Sequence, residues 1–167
     1  MASEELTGVF LRTLAASKPG GLFLELGTGT GVATSWILDG MDSDAALTSI
    51  DNDPKVQEVA RQALSSDARL TLVGGDALFF LKHQPAASYD FVFADAMAGK
   101  YENLAEALAV VKPGGFYVID DMLPQVNWPK DHASRVEMLL TDMARHPGFE
   151  TTNLMWASGI VVAVRKH

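Results

Sequence analysis

Five carboxylates in this chain stand at or just beyond the end of a short apolar run: Glu25, Asp51, Asp76, Asp95 and Asp120. Acids so placed can accept hydrogen bonds from ligand hydroxyls, hold a cation or take part in proton transfer, provided the fold brings the run ends together. The first of them belongs to Phe23-Leu24-Glu25-Leu26-Gly27-Thr28-Gly29-Thr30-Gly31, after which Val32 to Leu38 begins a helical pattern. A buried strand, a turn with glycines at alternate positions and a helix N-terminus let a backbone approach a nucleotide-like ligand closely. An acid two residues ahead of the first glycine suits a ligand that is cationic and carries no pyrophosphate.

The elements that must position these acids alternate along the chain. Leu6, Val9, Phe10, Leu11 and Leu14 have helical spacing within residues 3–17, which end before Pro19-Gly20-Gly21. Leu47 to Ile50 reads as a second strand closed by Asp51, and Asn52-Asp53-Pro54 opens a helix through Leu64, with proline suited to its first turn. Arg69 to Val73 reads as a third strand, followed by Gly74-Gly75-Asp76-Ala77 and a helix holding Leu78, Phe79 and Leu81. Tyr89 to Ala94 is a fourth strand ending on Asp95; Tyr101 to Val111 is a helix stopped by Lys112-Pro113-Gly114-Gly115; Phe116 to Ile119 is a fifth strand ending on Asp120-Asp121. A loop over 122–131 precedes a helix from His132 to Arg145. Strands over Phe149–Trp156 and Ile160–Val164 then form a hairpin around Ala157-Ser158-Gly159. This order specifies an α/β fold in one domain over 1–167. A mostly parallel, seven-stranded sheet would carry helices on both faces and end in an antiparallel hairpin. Ligands on such a sheet bind at the carboxyl ends of the strands, so the five acids are expected to share one rim.

Composition narrows the partners. The 167 residues carry a net charge of −8, which disfavours a broad nucleic-acid surface and favours a small-molecule substrate. With no cysteine, disulfides and thiolate metal sites are excluded. No apolar run is long enough to span a membrane and no signal-peptide pattern opens the chain, so a cytoplasmic location is expected.

Asp51 can accept both hydroxyls of a ribose, or it can cap the following helix; Asp53, just before Pro54, is available for the second role. Asp76 can cap the helix that follows it, and a ligand contact there is compatible with that role.

Together, Glu25-x-Gly27-x-Gly29-x-Gly31, the acid Asp51 and Gly75-Asp76-Ala77 resemble the cofactor motifs of the class I S-adenosylmethionine (SAM) methyltransferases, with their Rossmann-like fold. Three later segments narrow the resemblance to the small-molecule O-methyltransferases of the catechol and caffeoyl-coenzyme A type. These are Phe91 to Tyr101, Val111 to Gly115 and Val118 to Asp121. The resemblance implies that SAM is held by Glu25, Gly27, Thr28, Gly29, Thr30, Gly31, Asp51, Asn52, Gly75, Asp76, Ala77 and Asp95. It also implies a divalent cation, Mg²⁺ or in its place Mn²⁺ or Ca²⁺, on Asp95, Asp120 and Asp121. The family pattern after strand four reads Asp-Ala-Asp-Lys-x-x-Tyr, with the lysine as general base. Here Met97 and Ala98 replace the second Asp and that Lys. Lys100 is the nearest substitute base, the other reading being a solvent-facing lysine, and it joins Asp95 and Asp120 as the catalytic set.

Met97 and Trp128 are the substrate-side candidates, with 122–131 as a lid, while His132 caps its helix or serves as an alternative base. Only 21 residues precede the first strand, so the site is expected to be open or completed by a second subunit in a homodimer. The function implied is methyl transfer from SAM to a small-molecule oxygen. Other acceptors (a carboxylate, an amine, a modified RNA base) and a non-catalytic SAM-binding role are the competing expectations.

Overall fold

The computed structural model describes residues 5–125 and 128–167. In chain order the elements are α1 (Glu5–Ala16), β1 (Leu22–Leu26), α2 (Val32–Gly40), β2 (Ala46–Asp51), α3 (Pro54–Leu64), β3 (Leu70–Gly74) and α4 (Ala77–Lys82). They continue with β4 (Tyr89–Ala94), α5 (Leu104–Ala109), β5 (Val111–Ile119), α6 (His132–Arg145), β6 (Phe149–Leu154) and β7 (Ile160–Arg165). The seven strands make one sheet in the order β3-β2-β1-β4-β5-β7-β6. The first five run parallel, and β7 enters antiparallel between β5 and β6.

Side chains alternate across a strand, and each central strand is apolar on both faces, as a sheet covered on two sides requires. Leu24, Leu26, Val92, Ala94, Tyr117 and Ile119 point to the layer of α4, α5 and α6, meeting Leu81, Leu108, Val136 and Leu139. Phe23, Phe91, Phe93 and Val118 point the other way, to Leu11 and Ala15 of α1 and Ile37 and Leu38 of α2. Capping follows local chemistry. Asp53 caps α3 by accepting from the Lys55 and Val56 N–H groups, and Asp76 caps α4 through Phe79 N–H at 2.8 Å.

The boundary that differs most from expectation lies between α5 and β5. The helix expected over Tyr101–Val111 is only Leu104–Ala109, and β5 begins at Val111. Tyr89 pairs with Val111 and Phe91 with Phe116, so residues 112–115 bulge out opposite Asp90. Lys112 anchors the bulge through Asp90 Oδ2 at 2.7 Å. A proline and two glycines inside a strand signal such a bulge as readily as a helix stop.

The strand order reverses between β1 and β4. That point, at the strands' carboxyl ends, is where a doubly wound sheet opens a crevice.

Candidate active site

The loop after β1 crosses this crevice with Gly27, Gly29 and Gly31 all at positive φ. Above it lies a cavity of about 410 Å³ bordered by Gly27 to Thr30, Asp51, Asn52, Val56, Asp95 and Ala96. A second, of about 220 Å³, shares Gly27, Asp51, Asn52 and Ala96 with the first and continues to Gly75, Asp76, Ala77, Leu78, Met97 and Asn103. The two form one cleft running from the glycine loop to the N-terminus of α4. A third cavity, of about 360 Å³, adjoins it at Asp95, Ala96 and Met97 and is walled by Tyr101, Trp128, Pro129 and His132.

Asp51 sits at the centre of the cleft. Its Oδ2 accepts from Gly29 N–H at 2.7 Å and its Oδ1 from Asp53 N–H at 2.8 Å. A carboxylate has about four acceptor sites, so each oxygen keeps a lone pair for a ligand hydroxyl. Because Asp53 takes the cap of α3, Asp51 is released from that role. Gly29 and Gly75 border open space: a Cβ built on either meets no atom within 4 Å. Their bare backbones leave room for a ligand to lie against the loop. Asp76 caps α4 and also lines the cleft.

Three expected ligand residues stand elsewhere. Glu25 is fully buried and borders none of these cavities. As the penultimate residue of β1 it shares the face of Phe23, and so points beneath α2 rather than at the rim. There its Oε2 accepts the hydroxyls of Thr34 and Ser49. Gln57 Nε2 reaches Thr28 Oγ1, which bonds Ser49 Oγ, so the network ties the loop to α2, β2 and α3. Glu25 Oε1 has no partner among the described residues, and burial pushes this carboxyl up to about 8. Gly31, at the N-cap of α2, also lies outside the cavity and packs on Ala60 of α3. The third is Asp120, only 2 % exposed. Its Oδ1 accepts the Ser158 hydroxyl and the Asp121 N–H. Burial holds its carboxyl up at about 6 despite those bonds. The five acids therefore do not share one rim: Asp51, Asp76 and Asp95 line it, and Glu25 and Asp120 lie beneath.

The expected metal cluster is likewise not assembled. Asp95 Oδ1 accepts from Lys100 Nζ at 2.9 Å, and the same ammonium donates to the Asp120 carbonyl at 2.9 Å. Asp121 adopts a positive φ of 64° and its Oδ1 accepts from Gln125 Nε2. With each carboxylate engaged separately, no three acidic or histidine side chains converge on a metal position among the described residues. Lys100 is not the solvent-facing residue its surroundings in the sequence suggested: it is 6 % exposed. Burial raises the Asp95 carboxyl, opposed by this ammonium.

On the far side of the third cavity, Tyr101 Oη and His132 Nε2 are 3.2 Å apart, and the His132 ring packs on Trp128 at 4.6 Å. Burial and the Asp121 carboxylate push the Tyr101 hydroxyl up to about 12. The loop expected to act as a lid starts tied down, since Met122 and Leu123 donate backbone N–H groups to Gly159 and Ser158. Its Val126 and Asn127 lie outside the described residues. Ser49, Thr34, Gln57 and Ser158 carry no motif, and only their place in the fold marks them.

Residues 24–122 match the family described as a methyltransferase domain. A Mycobacteroides abscessus protein with a provisional O-methyltransferase name is 38% identical over 117 residues, covering 67% of this chain and 54% of that protein. The chain thus spans about half the length of the curated relatives it matches. Among solved structures, cofactor-bound Rv0187 from MTB superposes with a TM-score of 0.86 at 27% identity, covering all of this chain and 83% of that one. The fold is also that of an O-methyltransferase from Bacillus cereus in complex with SAH, at a TM-score of 0.84 and 23% identity, over 98% of this chain and 82% of that one. No helix among the described residues is long and apolar enough to cross a membrane. With that family's model matching residues 24–122, more than half of the 167 residues, the chain belongs to the methyltransferase-domain family.

Proposed function

We propose that this chain transfers a methyl group from SAM to an oxygen of a small-molecule acceptor. The observation that carries the reading is the cleft that runs from the glycine loop past Asp51 to Asp76 and meets a second, aromatic-walled cavity at Ala96 and Met97. The open backbones of Gly29 and Gly75 and the free lone pairs of Asp51 fit SAM. On this reading the Gly27–Thr30 backbone and Asp95 hold the amino-acid end, Asp51 and Asn52 the ribose, and Gly75, Asp76 and Ala77 the adenine. When bound, SAM supplies a sulfonium methyl group open to in-line attack.

The protein's own work is then mostly positioning, which converts a bimolecular encounter into a directed one. Met97 and Trp128 grip a flat, largely apolar acceptor, and the Tyr101–His132 pair gives its wall a polar edge. That lining favours a hydroxylated ring over a carboxylate or an RNA base, because the cavity offers aromatic faces beside the Asp95 and Asp121 carboxylates, which repel an anion, and no basic surface.

Calorimetry with SAM tests the cofactor half. Asp51→Ala is expected to raise the SAM dissociation constant by about 1–3 kcal/mol, or roughly 5- to 150-fold, since ribose hydroxyls in a partly desolvated cleft lose their acceptor. Unchanged affinity in a folded variant would remove Asp51 from the ribose site. Incubating labelled SAM with a panel of phenols, acids and amines tests the acceptor half; transfer to amines alone would overturn the oxygen assignment.

A further inference from the structure

Lys100 is nearly excluded from solvent, yet it is among the residues that line the acceptor cavity. A buried charge is tolerated only when it is paired and hydrogen-bonded. Lys100 Nζ is both, donating to Asp95 Oδ1 and to the Asp120 carbonyl, each at 2.9 Å. An ammonium has three N–H donors, so one has no partner among the described residues.

We propose that the Lys100 ammonium is the resident cation of this site. It takes the place that the resemblance to metal-assisted O-methyltransferases assigned to a divalent ion, and methyl transfer in this protein is metal-independent. The geometry argues against seating both cations. A divalent ion such as Mg²⁺ or Ca²⁺ needs about six oxygen ligands. Of the three candidate carboxylates only Asp95 bonds the Lys100 ammonium, which already stands between it and the Asp120 carbonyl. The Asp120 carboxyl is turned to Ser158 Oγ and the Asp121 carboxyl to Gln125. A metal ion would have to displace the ammonium or sit against it.

This inference rests on the methyl-transfer reading for its chemistry. As the acceptor hydroxyl loses its proton to solvent, the third Lys100 N–H donates to the developing oxyanion. The O–C bond then forms as the C–S bond breaks, the C–S electron pair remains on sulfur, and Lys100 stays protonated throughout. A fixed cation beside a forming oxyanion lowers the barrier as a metal ion would, without a ligand-exchange step.

The test uses the whole protein and Mn²⁺ alone as probe, followed by the free-ion EPR signal. For the unaltered protein, Mn²⁺ binding weaker than about 1 mM is expected, with SAM affinity and methyl transfer unchanged by EDTA. Lys100→Ala is expected to bind Mn²⁺ about tenfold or more tighter, because Asp95 loses its counter-ion. It should also lose about 100-fold in kcat while SAM affinity changes less than about threefold. Lys100→Arg keeps the charge, so it should fold and leave Mn²⁺ binding weak, which guards against an alanine variant that fails to fold.

Micromolar Mn²⁺ binding by the unaltered protein, or activity lost in EDTA and restored by Mg²⁺, would overturn the proposal. If no acceptor is methylated with or without metal, the methyl-transfer reading falls; the Mn²⁺ titrations still decide which cation the site holds.

Discussion

Gly31→Val is expected to destabilise the domain by about 3 kcal/mol, whereas Gly29→Val, two residues away, is expected to leave it folded and to abolish SAM binding. At Gly31 a Cβ would stand 2.8 Å from Ala60 Cβ and 3.0 Å from Leu64 Cδ1, in a seam where Ala60 is fully buried. The φ of 88° adds strain for a β-branched residue. Overpacking costs roughly 1–3 kcal/mol and left-handed backbone a further 1–2. At this chain length that lowers Tm by roughly 10 °C. At Gly29 a Cβ would meet nothing within 4 Å, on a residue that lines the cleft. The fold then bears only the backbone strain, while the ligand loses its space. Thermal melts and SAM calorimetry on the two variants separate the roles; two variants with the same profile would show that the loop's glycines serve one purpose.

Glu25→Gln is expected to make the protein more stable than the parent above neutral pH and slightly less stable in acid. Desolvation raises the Glu25 carboxyl from 4.5 to about 8, outweighing the Ser49 and Thr34 hydroxyls that favour its charged form. Between those limits the folded state keeps a proton that the unfolded state has released, so stability falls as pH rises, by about 1.4 kcal/mol per unit for one group. Below 4.5 both states are protonated and the contribution is flat; above about 8 both are ionised and it is flat again.

A glutamine keeps an oxygen for Ser49 and Thr34, and it places its amide nitrogen at the Oε1 position, which has no partner among the described residues. That unpaired donor costs about 1 kcal/mol or more at every pH, but the ionisation penalty disappears. The two stability curves should therefore cross, with the variant ahead by pH 8. Subtracting the curves also removes the titration of Asp120, common to both proteins. Parallel curves would show that Glu25 is charged in the folded state.

Much of this protein was legible one element at a time. The β-α alternation, the Asp53 and Asp76 caps and the closing hairpin each rest on residues within a few positions of one another. Asp51, as the last residue of β2, could be assigned to the cleft for the same reason. Period, capping chemistry and turn glycines are local properties, and a linear pattern carries them in full. The bulge at residues 112–115 escaped because proline and glycine punctuate helix ends and strand interruptions alike.

The direction in which each rim acid points was a different matter. Glu25 lies one residue short of the strand end, and strand alternation sends it under α2 to hydroxyls at positions 34 and 49. Asp120 is held by Ser158, 38 residues away, because β7 inserts beside β5 and brings its preceding turn to that strand's end. Lys100 leaves solvent because the 98–102 turn folds it over the ends of β4 and β5, where a carboxylate and a carbonyl face one point. Composition and spacing place three carboxylates near one another, but whether they gather around a metal or disperse to separate donors depends on which distant groups reach them first. Those distances are set by strand order and register, which no local segment of the chain contains.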